Sequence, residues 1–312
     1  MKPLFSIRVR VPATSANLGP GFDVLGLALT LYNEVRLTGW NDRSRPALTI
    51  LNEGEGEADL PTDRRHLVFK VVERVFNQAR RPLPPALELK LWNRIPLARG
   101  LGSSSAAILG GILAADAALG KRLSLRDIVQ LAAEIEGHPD NVAPTAVGGL
   151  CVAAMVDGRV TYLSWKDKKM FRGLKAVVAV PDFEVCTAKA RSVLPKTVSR
   201  ADALFNTSRV ALFLSALAQG RRELFGLAME DRFHQPCREN LVPGLADAIA
   251  SARKAGAFGA ALSGAGPSVL ALSPVAKAVA AGRAMAKVFA RKQISSRVLI
   301  LDVDFNGARV TR

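Results

Sequence analysis

The stretch that most constrains this chain is IPLARGLGSSSAAILGGILAADAALG, Ile95 to Gly120. It follows Leu87 to Leu91, whose apolar residues fall at every second position, as on a half-buried strand. From Ser104 to Leu119 the residues are mostly Ala, Leu and Ile, strong helix formers, and Gly120 supplies a C-terminal cap. The order is strand, loop, helix. A glycine-rich turn entering a helix presents unpaired backbone N–H groups and the positive end of the helix dipole, so it can cradle a phosphate. Ser103, Ser104 and Ser105 add hydroxyls for phosphate oxygens or Mg2+; the plain alternative is a helix cap with spare serines. Two commoner nucleotide loops are excluded. Gly120-Lys121 lacks the earlier glycine and the following Ser or Thr of a P-loop, and the G-x-G at Gly100 lacks the third glycine of a dinucleotide fingerprint.

The remainder reads as alternating elements. Ser6 to Val11 predicts a strand with Ile7, Val9 and Val11 on one face. Pro12 to Leu29, rich in Gly, Pro and small polar residues, reads as irregular until an apolar run begins at Val24. Ser124-x-x-Asp127 is a variant capping box opening a helix that runs through LRDIVQLAAEIEG to Gly137. At about 100° per residue Leu125, Ile128, Ala132 and Ile135 share a face, Glu136 falls close to it and Glu134 points away. An acid on that face either finds a partner or frays to solvent in the last turn. After the apolar segment Gly148 to Val156, the charged stretch Asp157 to Lys175 reads as a junction between domains 1–165 and 166–312. Beyond it come a strand (Ala176 to Pro181), a helix (about Asp202 to Gln219), a further helical region, strands at Phe258 to Leu262 and Ser268 to Leu272, a helix (Val275 to Ala290) and a strand (Arg297 to Val303). Apart from one extra helix this is the β-α-β-β-α-β order of a split βαβ sandwich, giving an α+β protein of two domains.

Composition bounds the partners. A length of 312 residues with 49% hydrophobic content supports a large interior. The formal charge of +16 first suggests nucleic acid or anionic membrane, but the basic residues are scattered among acids and only 6% of the chain is aromatic. We expect a solvated basic surface that attracts anionic small substrates, with no nucleic acid or membrane partner. A nucleic-acid platform on the second domain's sheet would need exposed aromatics, and Ala176 to Pro181 and Arg297 to Val303 have none. Cys151, Cys186 and Cys237 are too widely spaced for a structural zinc site, and MKPLFSIRVRVP has no apolar run of signal-peptide length, so the expected compartment is the cytoplasm.

Three further polar constellations interrupt apolar surroundings: Asn17 with Asp23, Glu136 with His138, Asp140 and Asn141, and the glycine-rich LSGAGPS from Leu262 to Ser268. With PLARGLGSSSA (Pro96 to Ala106), these stretches resemble the GHMP kinase superfamily across essentially the whole chain. VPATSANLGPGFDVLGLAL, EGHPDNVAPTAVGGL, TAKARSVLP and DRFHQPCRENLVPG are similar to its homoserine kinase branch, the alternative being another small-molecule kinase of the superfamily or a regulatory relative that no longer transfers phosphate.

The resemblance implies an N-terminal domain like domain 2 of ribosomal protein S5, a ferredoxin-like C-terminal domain, and phosphorylation of the L-homoserine side-chain hydroxyl by Mg-ATP on the way to threonine, with a homodimer left open. It implies ATP binding by Pro96, Leu97, Ala98, Arg99, Gly100, Leu101, Gly102, Ser103, Ser104, Ser105 and Ala106, and Mg2+ binding by Ser104 and Glu136. The amino-acid pocket would be Asn17, Asp23, His138, Asp140, Asn141, Thr187, Arg191, Arg238 and Gly264. Arginines suit a carboxylate and acids an ammonium, while Asp23 and Asp140 are both candidates to take the hydroxyl proton. His66 stands where relatives commonly carry asparagine near the adenine, and Cys237 where an aromatic residue is usual beside Arg238.

Overall fold

The computed structural model describes residues 2–311, which build two sheets. In the first, β1 (Phe5–Asn17) pairs antiparallel with β2 (Gly21–Trp40), whose far half pairs with β4 (Ala86–Asn93); β3 (Leu48–Gly54) runs parallel to β4. The hairpin of β5 (Leu150–Val156) and β6 (Arg159–Trp165) joins the near half of β2. Four helices accompany this sheet: α1 (Leu67–Gln78), α2 (Ser103–Ala118), α3 (Leu125–Glu136) and α4 (Pro139–Val147). The capping box at Ser124 forms, with Ser124 Oγ accepting from the Asp127 amide and the Asp127 carboxylate accepting from the Ser124 amide.

One expectation about this half is corrected. Pro12 to Asp23 is not irregular: β1 extends to Asn17 and β2 begins at Gly21, with register shifts at Pro12/Ala13 and Ala16/Asn17. Just beyond it, the small residues of β2 permit close approach. A Cβ at Gly26 would lie 1.8 Å from the Asp140 carbonyl oxygen, so α4 can rest on β2 only because Gly26 has none. The charged stretch from Asp157 contains β6, in which Val160 is buried and Tyr162 half-buried between the exposed Arg159, Thr161 and Leu163, and the short helix α5 (Lys168–Phe171).

The chain continues through β7 (Leu174–Pro181), α6 (Thr187–Ser192), α7 (Arg200–Ala218), α8 (Phe225–Ala228), α9 (Gln235–Arg238), α10 (Leu245–Lys254), β8 (Gly259–Leu262), β9 (Val269–Pro274), α11 (Ala278–Arg291) and β10 (Ser296–Leu301). The second sheet has the order β10-β7-β9-β8, all antiparallel, which is the split βαβ arrangement expected from the element order. Its two faces follow the strand period. Val177 and Ala179 point toward α10 and α11, while Ala176, Val178 and Val180 join the core that also holds Val9, Leu29 and Leu109. The two halves thus share one continuous interior. The tail also returns: β11 (Arg309–Thr311) pairs with β1, and Val303 bridges to Leu29. Among the described residues no helix is long and apolar enough to cross a membrane.

Candidate active site

The ends of β1, the glycine-rich loop and the β8–β9 turn are tied together between the two sheets. Leu101 O accepts from the Thr14 amide (3.1 Å), and Ala16 O accepts from the Gly264 amide (3.1 Å). Ser263 Oγ donates to Gly100 O (2.6 Å) and shares a hydrogen bond with Ser15 Oγ (2.8 Å). Gly100 and Gly102 both have positive φ, and a Cβ would lie 2.1 Å from Ser263 O at Gly100 and 2.0 Å from Thr14 Oγ1 at Gly102. These glycines let the loop sit against its own neighbours as much as against any ligand.

The resulting cleft, about 650 Å³ with its open mouth included, is lined by most of the residues singled out from sequence. Pro96, Ala98, Arg99, Gly100, Leu101, Gly102, Ser103 and Ser104 face it from the loop. Leu97 lies instead in a neighbouring polar groove, and Ser105 and Ala106 are wholly buried in the first turn of α2. The Arg99 guanidinium is engaged by protein groups: it donates to Pro181 O and Leu97 O and forms ion pairs with Asp182 and Glu184. It fastens the loop to the second sheet.

Ser104 Oγ donates to Glu136 Oε2 at 2.8 Å, whereas Glu134 is exposed and pairs with Arg74. The helical-face reading of the two glutamates therefore holds in space. His138 caps α4, and its Nδ1–H donates to Asp140 Oδ1 (2.6 Å), which also accepts from the Asn141 amide (2.9 Å). Asp140 is 3% exposed and sits in the first turn of α4, where the helix dipole favours a negative charge. Burial pulls the His138 ring down, but the Asp140 hydrogen bond and charge, helped by Glu136, outweigh it and leave its pKa raised. Asn141 accepts from Thr14 Oγ1 at 2.7 Å.

At the other end, Asn17, Leu18 and Asp23 adopt left-handed backbone (φ 72°, 49° and 57°), a conformation that costs a non-glycine residue about 1–3 kcal/mol. The Asn17 side chain closes this loop by accepting from the Asp23 amide and donating to Gly264 O. Asp23 then receives both nitrogens of the Arg191 fork, at 2.7 and 2.9 Å. That hydrogen bond raises the Arg191 pKa despite partial burial. Arg238 is 2% exposed and donates from Nε to Ala190 O and from Nη1 to Gly264 O and His234 Nδ1. Burial, then the Arg191 charge, pulls it down to about 10, so it stays protonated at neutral pH. A surface pairing of Arg238 with Glu239 does not occur. Thr187 opens α6 at the cleft edge.

Two residues at this end lay outside the sequence reading. Phe22 lines the cleft with its ring centroid 5.4 Å from the guanidinium carbon of both Arg191 and Arg238. His234 is fully buried behind Arg238. The only local signal for Phe22 was an aromatic residue beside the acid Asp23. His66 does not line this cleft: it caps α1, accepting from the Val68 amide, and burial lowers its pKa.

The family model of GHMP kinase N-terminal domains matches residues 66–149 and that of GHMP kinase C-terminal domains matches residues 213–291. A protein of Moorella thermoacetica named homoserine kinase is 45% identical over 97% of this chain and 99% of its own, and one of Trichormus variabilis is 40% identical over 99% and 100%. The crystal structure of homoserine kinase from Cytophaga hutchinsonii superposes with a TM-score of 0.87 at 32% identity, covering 98% of this chain and 97% of that one. A mevalonate kinase from L. major shares the fold at TM-score 0.74 and 18% identity over 98% of this chain and 99% of that one. Similarity of this depth over both whole lengths, joined to a cleft in which the glycine-rich loop meets a set of paired charges, places the chain in the homoserine kinase branch of the GHMP kinase family.

Proposed function

We propose that the chain transfers the γ-phosphoryl group of ATP to the side-chain hydroxyl of L-homoserine, giving O-phospho-L-homoserine for threonine biosynthesis. One observation carries this reading: a single cleft is lined at one end by Gly100 to Ser104 and Glu136 and at the other by Asp23, Asp140, Arg191 and Arg238. The first end suits the phosphates, which would meet the free N–H groups opening α2. The second suits a zwitterion. Arg238 keeps Nη2, the one guanidinium nitrogen without an acceptor among the described residues, for a carboxylate. Asn17 and Asp23 face the ammonium, and Thr187 and Arg191 border the same space.

The donor set at Ser104 and Glu136 fits Mg2+. Both groups offer oxygen, and among the described residues no cluster of three or more His, Cys, Asp or Glu could cage a metal without substrate oxygens. When bound, the cation would neutralise phosphate charge during transfer. Of the two candidate carboxylates, Asp23 has both oxygens engaged by Arg191, while Asp140 Oδ2 has no partner among the described residues. We assign Asp140 to the substrate hydroxyl and Asp23 to orienting Arg191 and the ammonium. In a loose phosphoryl-transfer transition state, this positioning supplies most of the catalysis.

ADP release measured with homoserine, mevalonate, galactose and threonine as acceptors tests the assignment. Homoserine should be turned over far faster than the others. Comparable rates with mevalonate or galactose would return the protein to an unspecified kinase of this fold.

A further inference from the structure

Arg238 reaches the cleft from a four-residue helix, α9, whose backbone is already secured. Asp231 accepts from the amides of Phe233, His234 and Gln235, and Gln235 Oε1 accepts from the Leu262 amide on β8. The turn therefore does not need the His234 ring to hold its shape. The ring makes a different connection. An arginine only donates, so the 3.2 Å contact with Arg238 Nη1 makes His234 Nδ1 an acceptor; Nε2–H then donates to Gly19 O at 2.7 Å. Asp231 Oδ2, at 3.7 Å from Nε2, is too far for a hydrogen bond. Complete burial holds the ring below its ordinary pKa, in keeping with a neutral imidazole. Gly19 is itself fixed, since a Cβ there would lie 2.2 Å from Met229 O.

We propose that His234 is a positioning residue for the amino-acid substrate: it ties Arg238 Nη1 to the Gly19 carbonyl and thereby aims Nη2 into the cleft. This rests on the reading that Arg238 receives the homoserine carboxylate. Phe22, tilted against the imidazole at 5.3 Å, backs the same arrangement. Without the Nδ1 acceptor, Nη1 keeps only Gly264 O, and the guanidinium plane gains freedom about the Nε–H bond to Ala190 O. The phosphate end contains no part of this chain of contacts, so homoserine binding should suffer and ATP binding should not.

Two substitutions separate the ring's two jobs. His234→Gln can place an amide N–H near the Nε2 position, keeping the Gly19 contact, but offers nothing at Nδ1; His234→Asn can place its carbonyl oxygen near Nδ1 and restore an acceptor for Arg238. We expect His234→Gln to raise the KM for homoserine about tenfold, the worth of one charge-assisted hydrogen bond, with the KM for ATP and kcat within about twofold. His234→Asn should recover most of that loss. The chain has three histidines, so imidazole 15N spectra of the wild type give a second reading that does not depend on any variant folding. Two rings, His66 and His234, should carry the proton on Nε2, and only one of these two should shift at Nδ1 when homoserine is added, and neither when ATP is added alone. Equal damage by both substitutions, a joint rise in both KM values, or a proton on Nδ1 of His234 would overturn the proposal. A wild type that ignores homoserine overturns the underlying reading, whereas an active wild type with an unaffected His234→Gln overturns only the positioning role.

Discussion

At the end of the cleft proposed for the phosphates the chain offers mainly backbone: the turn from Gly100 to Gly102, the start of α2, and one Ser104–Glu136 hydrogen bond at its rim. At the amino-acid end it offers buried or half-buried charges already committed to one another, Asp23 with Arg191, Asp140 with His138, and Arg238 with two carbonyls and an imidazole. On the proposed assignment, the difference follows from the ligands. Phosphate groups have many equivalent oxygens, and a row of N–H groups satisfies them without side-chain discrimination. A small zwitterion must be told from its analogues by fixed charges, and fixed charges survive burial only when paired.

The largest effect should come from removing the one carboxylate at the proposed phosphate end among the described residues. Glu136→Gln keeps the shape and the Ser104 contact but loses several kcal/mol of cation binding, so Mg-dependent turnover should fall on the order of a thousandfold while thermal unfolding is unchanged. Glu134→Gln is the control. A damaging Glu134 change with a tolerated Glu136 change would reverse the assignment of the helical face.

Next in size is a test of the claim that this end is made of backbone. Gly100→Ala should cost about 2–5 kcal/mol, combining a left-handed alanine with overpacking against Ser263 O. Chemical denaturation reads the stability, and the KM for ATP reads the loop. Gly120→Ala, where a Cβ meets nothing, isolates the backbone penalty alone. If the two cost the same, the contact between the loop and the β8–β9 turn carries no weight.

At the amino-acid end, Arg238→Ala should weaken homoserine use on the order of tenfold to a hundredfold, with Arg238→Lys rescuing only in part because the ammonium lacks the planar fork. The selectivity for homoserine over its carboxamide analogue should shrink in step. Equal slowing of both compounds would mean that Arg238 does not read the carboxylate. Arg191→Ala should show the same selectivity with a smaller loss, since the Asp23 pairing absorbs part of that guanidinium's role.

The smallest effect is a pH dependence. The His138 pKa is raised in the fold, so its pairing with Asp140 stabilises fully below the unfolded value near 6.5 and fades as pH rises through the folded value. Wild type minus His138→Gln stability, measured by urea unfolding, should therefore decline on going from slightly acidic to slightly alkaline solution. An increase over that range would mean that burial, not Asp140, governs the ring.

The sequence by itself determined the strand-loop-helix unit, the capping box at Ser124, the opposite faces of Glu134 and Glu136, and the β-α-β-β-α-β order of the second half, because each rests on local periodicity or on residues a few positions apart. The motifs from Asn17 to Arg238 were legible through family resemblance, and the cleft gathers nearly all of them. Other features were decided only in three dimensions. Pro12 to Asp23 looked irregular because glycine and small residues break local patterns, yet it forms the ends of two paired strands; at Gly26, just beyond it, the absent Cβ makes room for the Asp140 backbone, a neighbour more than a hundred residues away. Arg99 sits inside the phosphate motif but serves the second sheet, and Arg191 meets Asp23 before it meets any substrate. The return of β11 to β1 and the role of the His234 ring likewise depend on partners distant in the chain. Hydrogen-bond and charge satisfaction inside a protein is settled by whichever groups packing brings within about 3 Å, and sequence spacing does not encode that list.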